Sequence, residues 1–424
     1  MPIRSFLFFL LLFAPILSIS QDKQYTLKII DTLSSPSFFG RGYVNLGDSL
    51  ASEFIRQEYE SIGLQSVKGS YFQTYLHSVN TFPGTARLLS GDKDLNIGSQ
   101  YLVDPSSRAG KGNFRVDSIT VDDLSTGDWI DKLKKSKRKA ISVDLSTINQ
   151  HEKKSVEKYM DFIQYLKFEE DIPAKAILVY HQGKQPWYIS DKETYRPVFL
   201  VFKDSIASIP DEITFEIDNK VIENYRSRNV IGMIPGESDS SIVITAHYDH
   251  LGMMGSDCYF PGANDNASGV ALMLDLARHF KDQPLKYTLY IVAFSGEEAG
   301  LKGSRYFVQN PTFPLGKIKF LLNLDLAGTG IDGATVVNGK IFEEEFDLLK
   351  SINDEKGYLK TINARSEACN SDHCFFYNAG IKCFYIYTLG GTIYYHDIFD
   401  KAKTLPLNEY GNYFSLLRDF LKRI

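Results

Sequence analysis

The sequence predicts an α/β protein with a mixed, mostly parallel central sheet covered by helices on both faces, and a small β-rich inserted domain. Three observations carry this. From Ser227 onward, short apolar runs alternate with segments of helical period. Runs such as Tyr287–Phe294 and Ile318–Leu324 are nearly continuous in apolar residues, as strands buried on both faces are. Between about Gly84 and Phe215 the character changes, and short β-like runs stand among long polar connections.

Taken in order, Tyr25–Leu33 and Ser49–Ile62 have helical patterns. The second sets Leu50, Phe54, Tyr59 and Ile62 near one face and stops at Gly63, which tolerates the left-handed turn that ends a helix. Within 84–215, β-like runs fall at Lys139–Val143, Ala176–Tyr180 and Pro197–Phe202, separated by the charged stretch Asp131–Arg138 and the polar segment Gln150–Lys158; no residue of this stretch belongs to the chemistry below. Strands follow at Asn229–Ile234 and Ile242–Ala246, then a helix at Ala267–Phe280 and a strand at Tyr287–Phe294. The rhythm continues with a helix at Leu301–Gln309, a strand at Ile318–Leu324 and a helix at Phe342–Asn353, then a strand at Ile381–Tyr387 and a helix at Leu407–Lys422. The expected organisation is one domain made of 21–83 and 216–424, with 84–215 inserted.

The chain has 424 residues, enough for two or three domains, and its composition excludes a collagen, a coiled coil, a disulfide-dense miniprotein and a wholly disordered chain. With 47 Lys+Arg against 52 Asp+Glu, the net charge of −5 offers no electrostatic basis for binding nucleic acid. At the N-terminus, Arg4, the apolar run Phe6–Leu17 and the small residues Ser18-Ile19-Ser20 read as a signal peptide cleaved after Ser20, so the mature protein is expected to be secreted or periplasmic. The run is shorter than the roughly 20 residues a spanning helix needs, and no transmembrane anchor is expected. Of Cys258, Cys369, Cys374 and Cys383, the expected bridge is Cys369–Cys374; the spacings do not suit a thiolate zinc site.

Polar residues gather where the buried strands end, the place where open α/β sheets put their sites. Ile242–Ala246 runs into His247-Tyr248-Asp249-His250, and Pro261-Gly262-Ala263-Asn264-Asp265-Asn266-Ala267-Ser268-Gly269 opens the next helix. Tyr287–Phe294 ends in Ser295-Gly296-Glu297-Glu298, Ile318–Leu324 ends in Asp325, and His396 stands in a loop after Ile381–Tyr387. Singly, each has a structural explanation: a helix cap at Asp265 or Asn266, dipole-complementing acids at Glu297 and Glu298, a core imidazole at His247, a turn former at Asp325. Together these explanations strain, because several carboxylates in one low-dielectric crevice cost several kcal/mol each, on the order of the burial penalty of an ion, unless cations accompany them. The hard oxygen and imidazole donors suit paired zinc ions, with Asp249 placed to orient His247.

In their order, HYDH (247–250), PGANDNASG (261–269), SGEEAGLKGS (295–304), NLDL (323–326), SDH (371–373) and YYHD (394–397) resemble the di-zinc exopeptidases of clan MH, metallopeptidase family twenty-eight. That family includes bacterial secreted aminopeptidases, glutamate carboxypeptidase and glutaminyl cyclase. The resemblance covers roughly Ser227–Leu407. It implies two zinc ions per chain bridged by Asp265, with His247 and Asp325 completing one set of ligands and Glu298 and His396 the other. It implies Glu297 as general base, Asp249 as the residue orienting His247, and Tyr395 at the place of an oxyanion-steadying tyrosine. The function it implies is an aminopeptidase acting on peptide or protein N-termini; glutaminyl cyclase, carboxypeptidase and a metal-less receptor-like member are the alternatives. Where many members have Thr-Pro after the last histidine, this chain has Asp397-Ile398-Phe399-Asp400, so the substrate-side loop is expected to differ. The insert falls where some members carry a protease-associated domain. Asn266-Ala267-Ser268 matches a glycosylation sequon but reads as part of the metal-site turn.

Overall fold

The computed structural model describes residues 22–148, 153–206 and 208–424, and the expected signal peptide lies outside them. Among the described residues nine strands form the central sheet: β1 (Gln65–Ser66), β2 (Phe72–Thr81), β3 (Lys220–Ile234), β4 (Ser238–His247), β5 (Tyr287–Phe294), β6 (Ile318–Asp325), β7 (Gly333–Val337), β8 (Ile362–Ala364) and β9 (Cys383–Leu389). Their order is β1-β3-β5-β4-β6-β9-β7-β8, with β2 also paired to β3. The four strands β5, β4, β6 and β9 run parallel at the centre, flanked by antiparallel β3 and β7. The α/β fold with a mixed sheet is therefore present as expected.

Burial on both faces follows from the alternation of side chains along each strand. In β4, Ile242, Ile244 and Ala246 enter the core on one face while Val243 enters the core on the other. The first face is covered by α1 (Lys23–Leu33), α2 (Gly47–Ile62), α3 (Gly269–Asp282), α5 (Glu343–Lys356) and α7 (Tyr410–Arg423). The second is covered by α4 (Lys302–Gln309) and α6 (His373–Asn378) through Phe307 and Phe376. Helix α3 buries Val270, Leu272, Met273, Leu274, Leu276 and Phe280, so it is covered nearly all round. Strand β3 begins at Lys220, earlier than expected, because its first half is an exposed ribbon paired with β2 and lacks an apolar run.

Among the described residues a second, eight-stranded sheet is built from strands lying between Ala86 and Ile217. Its middle strands Gly110–Ile119, Ala140–Asp144, Ala176–His181 and Val198–Phe202 are parallel. The polar segment expected at Gln150–Lys158 overlaps the start of a helix, Lys153–Phe168, which buries Tyr159, Ile163 and Leu166. Their i, i+4, i+7 spacing begins only after a polar first turn, which disguised it. The loop after β4 is also accounted for: Leu251, Met254 and Phe260 are buried in the hydrophobic cluster of this second sheet, with Trp187 and Phe202. Cys369 and Cys374 are bridged as expected, and Cys258 and Cys383 are buried thiols. Among the described residues no helix is long and apolar enough to cross a membrane.

Candidate functional site

Three adjacent parallel strands end at one crevice. His247 is the last residue of β4, Asp325 the last of β6, and β5 ends at Phe294, just before the turn that carries Glu297 and Glu298. Asp265 comes from the turn that leads into α3, and His396 from the loop after β9. The structure thus brings together all five of the expected ligand positions and the expected base.

The distances arrange them around Asp265. His247 Nε2 lies 3.4 Å from Asp265 Oδ1 and 3.4 Å from Asp325 Oδ1. His396 Nε2 lies 3.3 Å from Asp265 Oδ2 and 3.1 Å from Glu298 Oε2. Each oxygen of one carboxylate therefore faces a different histidine–carboxylate pair. Donor atoms of His247, Glu297 and Asp325 lie within 4.8 Å of one another, and so do those of His250, Asp265 and Glu298. His250, which the sequence reading left without a role, places Nδ1 2.8 Å from Glu298 Oε1, and its Nε2 is buried without a hydrogen-bond partner. Its only signal in the sequence was its place at the end of HYDH.

The supporting residues are mostly ones the sequence did not disclose. Arg41, fully buried, donates to the carbonyls of Tyr248, Leu33, Pro261, Gly262 and Asp265. The Asp400 carboxylate accepts from the main-chain N–H groups of Asn264 and Asp265 at 2.9–3.0 Å. Gly262 has φ +59, and a Cβ there would collide with the Asp265 carbonyl and the Arg41 guanidinium, so only glycine fits. Asn266 is buried, with its amide donating to Leu324 O and its oxygen accepting from Gly269 N–H, which is the work of a turn and leaves no place for a glycan.

Asp249 is fully buried, and its two oxygens accept from the N–H groups of Glu297 and Glu298 at 3.2 and 3.3 Å. His247 Nδ1 is 3.2 Å from the Asp249 carbonyl oxygen and 3.8 Å from its carboxylate. Asp249 thus ties the histidine's loop to the turn bearing both glutamates. Tyr395 is 49% exposed and lays its ring on His396, with centroids 4.0 Å apart. A buried tyrosine, Tyr385, directs its hydroxyl to Asp325 Oδ2 at 3.4 Å. His373 faces Ala368 O and stacks on Tyr385, outside the ligand set. A cleft of about 560 Å³ beside the site is lined by Lys184, Gln185 and Pro186 on one side and Ile393, Tyr395 and Phe399 on the other.

The electrostatics describe a site short of positive charge. Burial raises Glu297 well above its ordinary value against the pull of His247, and Glu298, Asp372 and Asp325 add to the rise. Burial lowers His396, yet Glu298 and Asp265 outweigh it and hold the imidazole up at about 11. Burial would raise Asp265, but contacts with His247 and His396 hold it well below the carboxylate range. Arg41 spends all its donors on carbonyls, so its charge reaches the crevice only at a distance. A carboxylate-rich, imidazole-bearing pocket whose neighbouring Arg41 and Lys184 are already committed to other partners is one that divalent zinc fits in donor type and charge.

The family model of Peptidase family M28 matches residues 229–421. Aminopeptidase YwaD of Bacillus subtilis is 26% identical over 234 residues, spanning 52% of this chain and 50% of that protein. A probable zinc metalloprotease of Pyrenophora tritici-repentis is 37% identical over 105 residues, 24% of this chain and 22% of its own length. The chain thus spans half, or less, of the length of these curated relatives. Among solved structures, BSAP, a zinc aminopeptidase from Bacillus subtilis, superposes with a TM-score of 0.68 at 19% identity over 94% of both chains. A Peptidase M28 precursor from Shewanella amazonensis gives 0.66 at 16% identity over 95% of this chain and 93% of its own. At such identities the structures attest a shared fold, while the family model matches the stretch that carries the crevice. Residues 229–421 of this chain, which bear both histidine–carboxylate groups, belong to Peptidase family M28.

Proposed function

We propose that the protein is an exported zinc-dependent aminopeptidase that hydrolyses the N-terminal peptide bond of peptides or proteins. The observation that carries this reading is Asp265, whose Oδ1 faces His247 and whose Oδ2 faces His396, so that this one carboxylate could serve two metal ions. His247 and Asp325 would hold one zinc ion, Glu298 and His396 the other. Bound there, the zinc ions supply Lewis-acid activation of the peptide carbonyl and of water. The chain's own residues do the rest. Glu297 takes the proton that water gives up and returns it to the departing amine. Asp249 fixes the turn on which Glu297 stands, and His250 holds Oε1 of Glu298 while Oε2 faces His396. Tyr395, at the cleft mouth, has its hydroxyl available to a developing oxyanion.

Charge favours the amino end of the substrate. The crevice has carboxylates in excess, which suit an α-ammonium group. The cations bordering it are committed, Arg41 to five carbonyls and Lys184 to Asp397 at 2.6 Å, and would not receive an α-carboxylate.

The test is elemental analysis of the purified protein together with hydrolysis of aminoacyl-p-nitroanilides before and after chelation. Two zinc ions per chain, activity lost to the chelator and restored by zinc, and a Glu297→Gln variant that keeps its zinc but loses about 10²–10⁴ in kcat are expected. Asp265→Ala should release both ions. An unimpaired Glu297→Gln enzyme would sink the mechanism, and a chain that takes up no zinc would sink the reading altogether.

A further inference from the structure

His396 stands well beyond the end of β9 at Leu389, and its backbone is left-handed, at φ +49, a region that favours glycine. What holds it comes from the second sheet's part of the chain. The His396 Nδ1–H donates to the Trp187 carbonyl at 2.7 Å, and the Trp187 N–H donates back to the His396 carbonyl at 3.3 Å. Three residues earlier, Lys184 pairs with Asp397 at 2.6 Å and lies over the Phe399 ring at 4.4 Å. Trp187 is itself anchored. Its indole N–H donates to Val103 O at 2.7 Å, and its ring stacks on Phe260 at 4.9 Å with 7° between the planes. Phe260 leads directly into the Pro261-Gly262 turn that presents Asp265. The expectation that 84–215 takes no part in the chemistry is corrected here: its Trp187 carbonyl touches a proposed ligand.

We propose that Lys184–Trp187 is a latch by which the inserted segment orients His396 toward Asp265 and Glu298, and so sets the affinity of the metal position His396 serves, leaving the position of His247 and Asp325 unaffected. The proposal rests on the two-metal reading above. An imidazole that donates from Nδ1 to a fixed carbonyl presents the Nε2 lone pair outward in one direction, and such outer partners govern metal affinity. The His247 position has no such dependence, because His247 and Asp325 end strands of the central sheet and, among the described residues, their hydrogen-bond and ion-pair partners are Asp249, Asp265, Leu326 and Tyr385, none of them in the insert. The residues after the last histidine, Asp397-Ile398-Phe399-Asp400, find their use here as well. Asp397 and Phe399 receive Lys184 from the insert, while Asp400 caps the Asp265 turn within the central domain. Lys184 and Trp187 are positioning residues, since neither touches the reacting atoms.

The experiment is a zinc-binding titration of the full chain in buffered free zinc, read by elemental analysis of bound metal. The variants are Lys184→Met, Lys184→Arg and Trp187→Phe, with Lys302→Met as control. Lys302 also bridges the insert to the central domain, through Asp191 at 3.1 Å, but not at His396. Two zinc equivalents are expected for the unmodified protein. In Lys184→Met and Trp187→Phe one of the two should bind about tenfold more weakly while the other is unchanged. Lys184→Arg and Lys302→Met should titrate like the unmodified protein. Lys184 is partly exposed, so its variants keep the test intact should Trp187→Phe fail to fold. Two unchanged equivalents in Lys184→Met overturn the latch alone. Equal weakening of both positions, or the same loss in Lys302→Met, overturns it too, by making the effect one of general docking. An unmodified protein that binds no zinc removes the two-metal reading and the latch with it.

Discussion

Each of the five guanidinium N–H bonds of Arg41 ends on a main-chain carbonyl, and the side chain has no solvent exposure. Burial lowers its pKa to about 10, with Asp265 and Asp400 opposing, so it remains charged at neutral pH. It joins the end of α1, Tyr248 just beyond the end of β4, and the turn before α3. Lysine cannot replace this, because an ammonium has three donors and no planar fork. Arg41→Lys is expected to destabilise the protein by about 3–5 kcal/mol, the range for breaking a buried charged network. Urea unfolding midpoints measure this, and a loss under about 1 kcal/mol would mean that water replaces the missing donors. Glu297 and Asp265, treated above, belong to the same scale. Their roles depend on single oxygen atoms.

Between helices, α3 and α7 meet over His279. It is 4% exposed, finds no hydrogen-bond partner among the described residues for either ring nitrogen, and packs edge-on to Phe280 and Phe414. Burial lowers its pKa to about 4, helped by Lys422 and Arg418 and opposed by Asp419 and Asp282. The folded value lies below the unfolded 6.5, so the neutral imidazole contributes stability that is present above pH 6.5 and lost as pH falls toward 4. His279→Leu removes this dependence. Between pH 7.5 and pH 5 the unmodified protein should lose more stability than the variant, by about 2 kcal/mol. Parallel urea curves at the two pH values test it; equal losses would assign the acid sensitivity elsewhere. The comparison must be between the two proteins, because burial raises Asp48 to about 6 and Asp275 to about 7, and those groups lose stability as pH rises.

For the whole molecule, the site joins pieces far apart in the chain: Arg41 near its start, Trp187 in a loop between strands of the second sheet, and His396 and Asp400 near its end. Metal bound at the crevice should therefore stabilise the entire fold. Zinc at 100 times its dissociation constant would add about 2.7 kcal/mol. The thermal unfolding midpoint is expected to rise with free zinc and fall on chelation, with the unfolding of both sheets shifting together. A midpoint indifferent to zinc would argue that the folded chain has no preferential affinity for it.

The alternation of buried strands and helices, the strand-end acids and histidines, and the order of six short motifs were all legible in the sequence. Those features are local: periodicity and strand ends are properties of neighbouring residues. Single residues facing partners through long-range contacts were not. Arg41, Asp400 and Trp187 act on atoms more than a hundred residues away, and Trp187 acts through its carbonyl, which every residue has and no side-chain pattern marks. His250 stood in a motif but needed the packing of the Glu298 turn to show which way it faces. The helix at Lys153–Phe168 was hidden because its buried spacing starts one turn late. The sequence by itself determined which groups are available to bind metal and move a proton. Only the tertiary structure decided which atoms of those groups converge, because convergence is set by chain closure and burial over the whole fold and not by spacing along it.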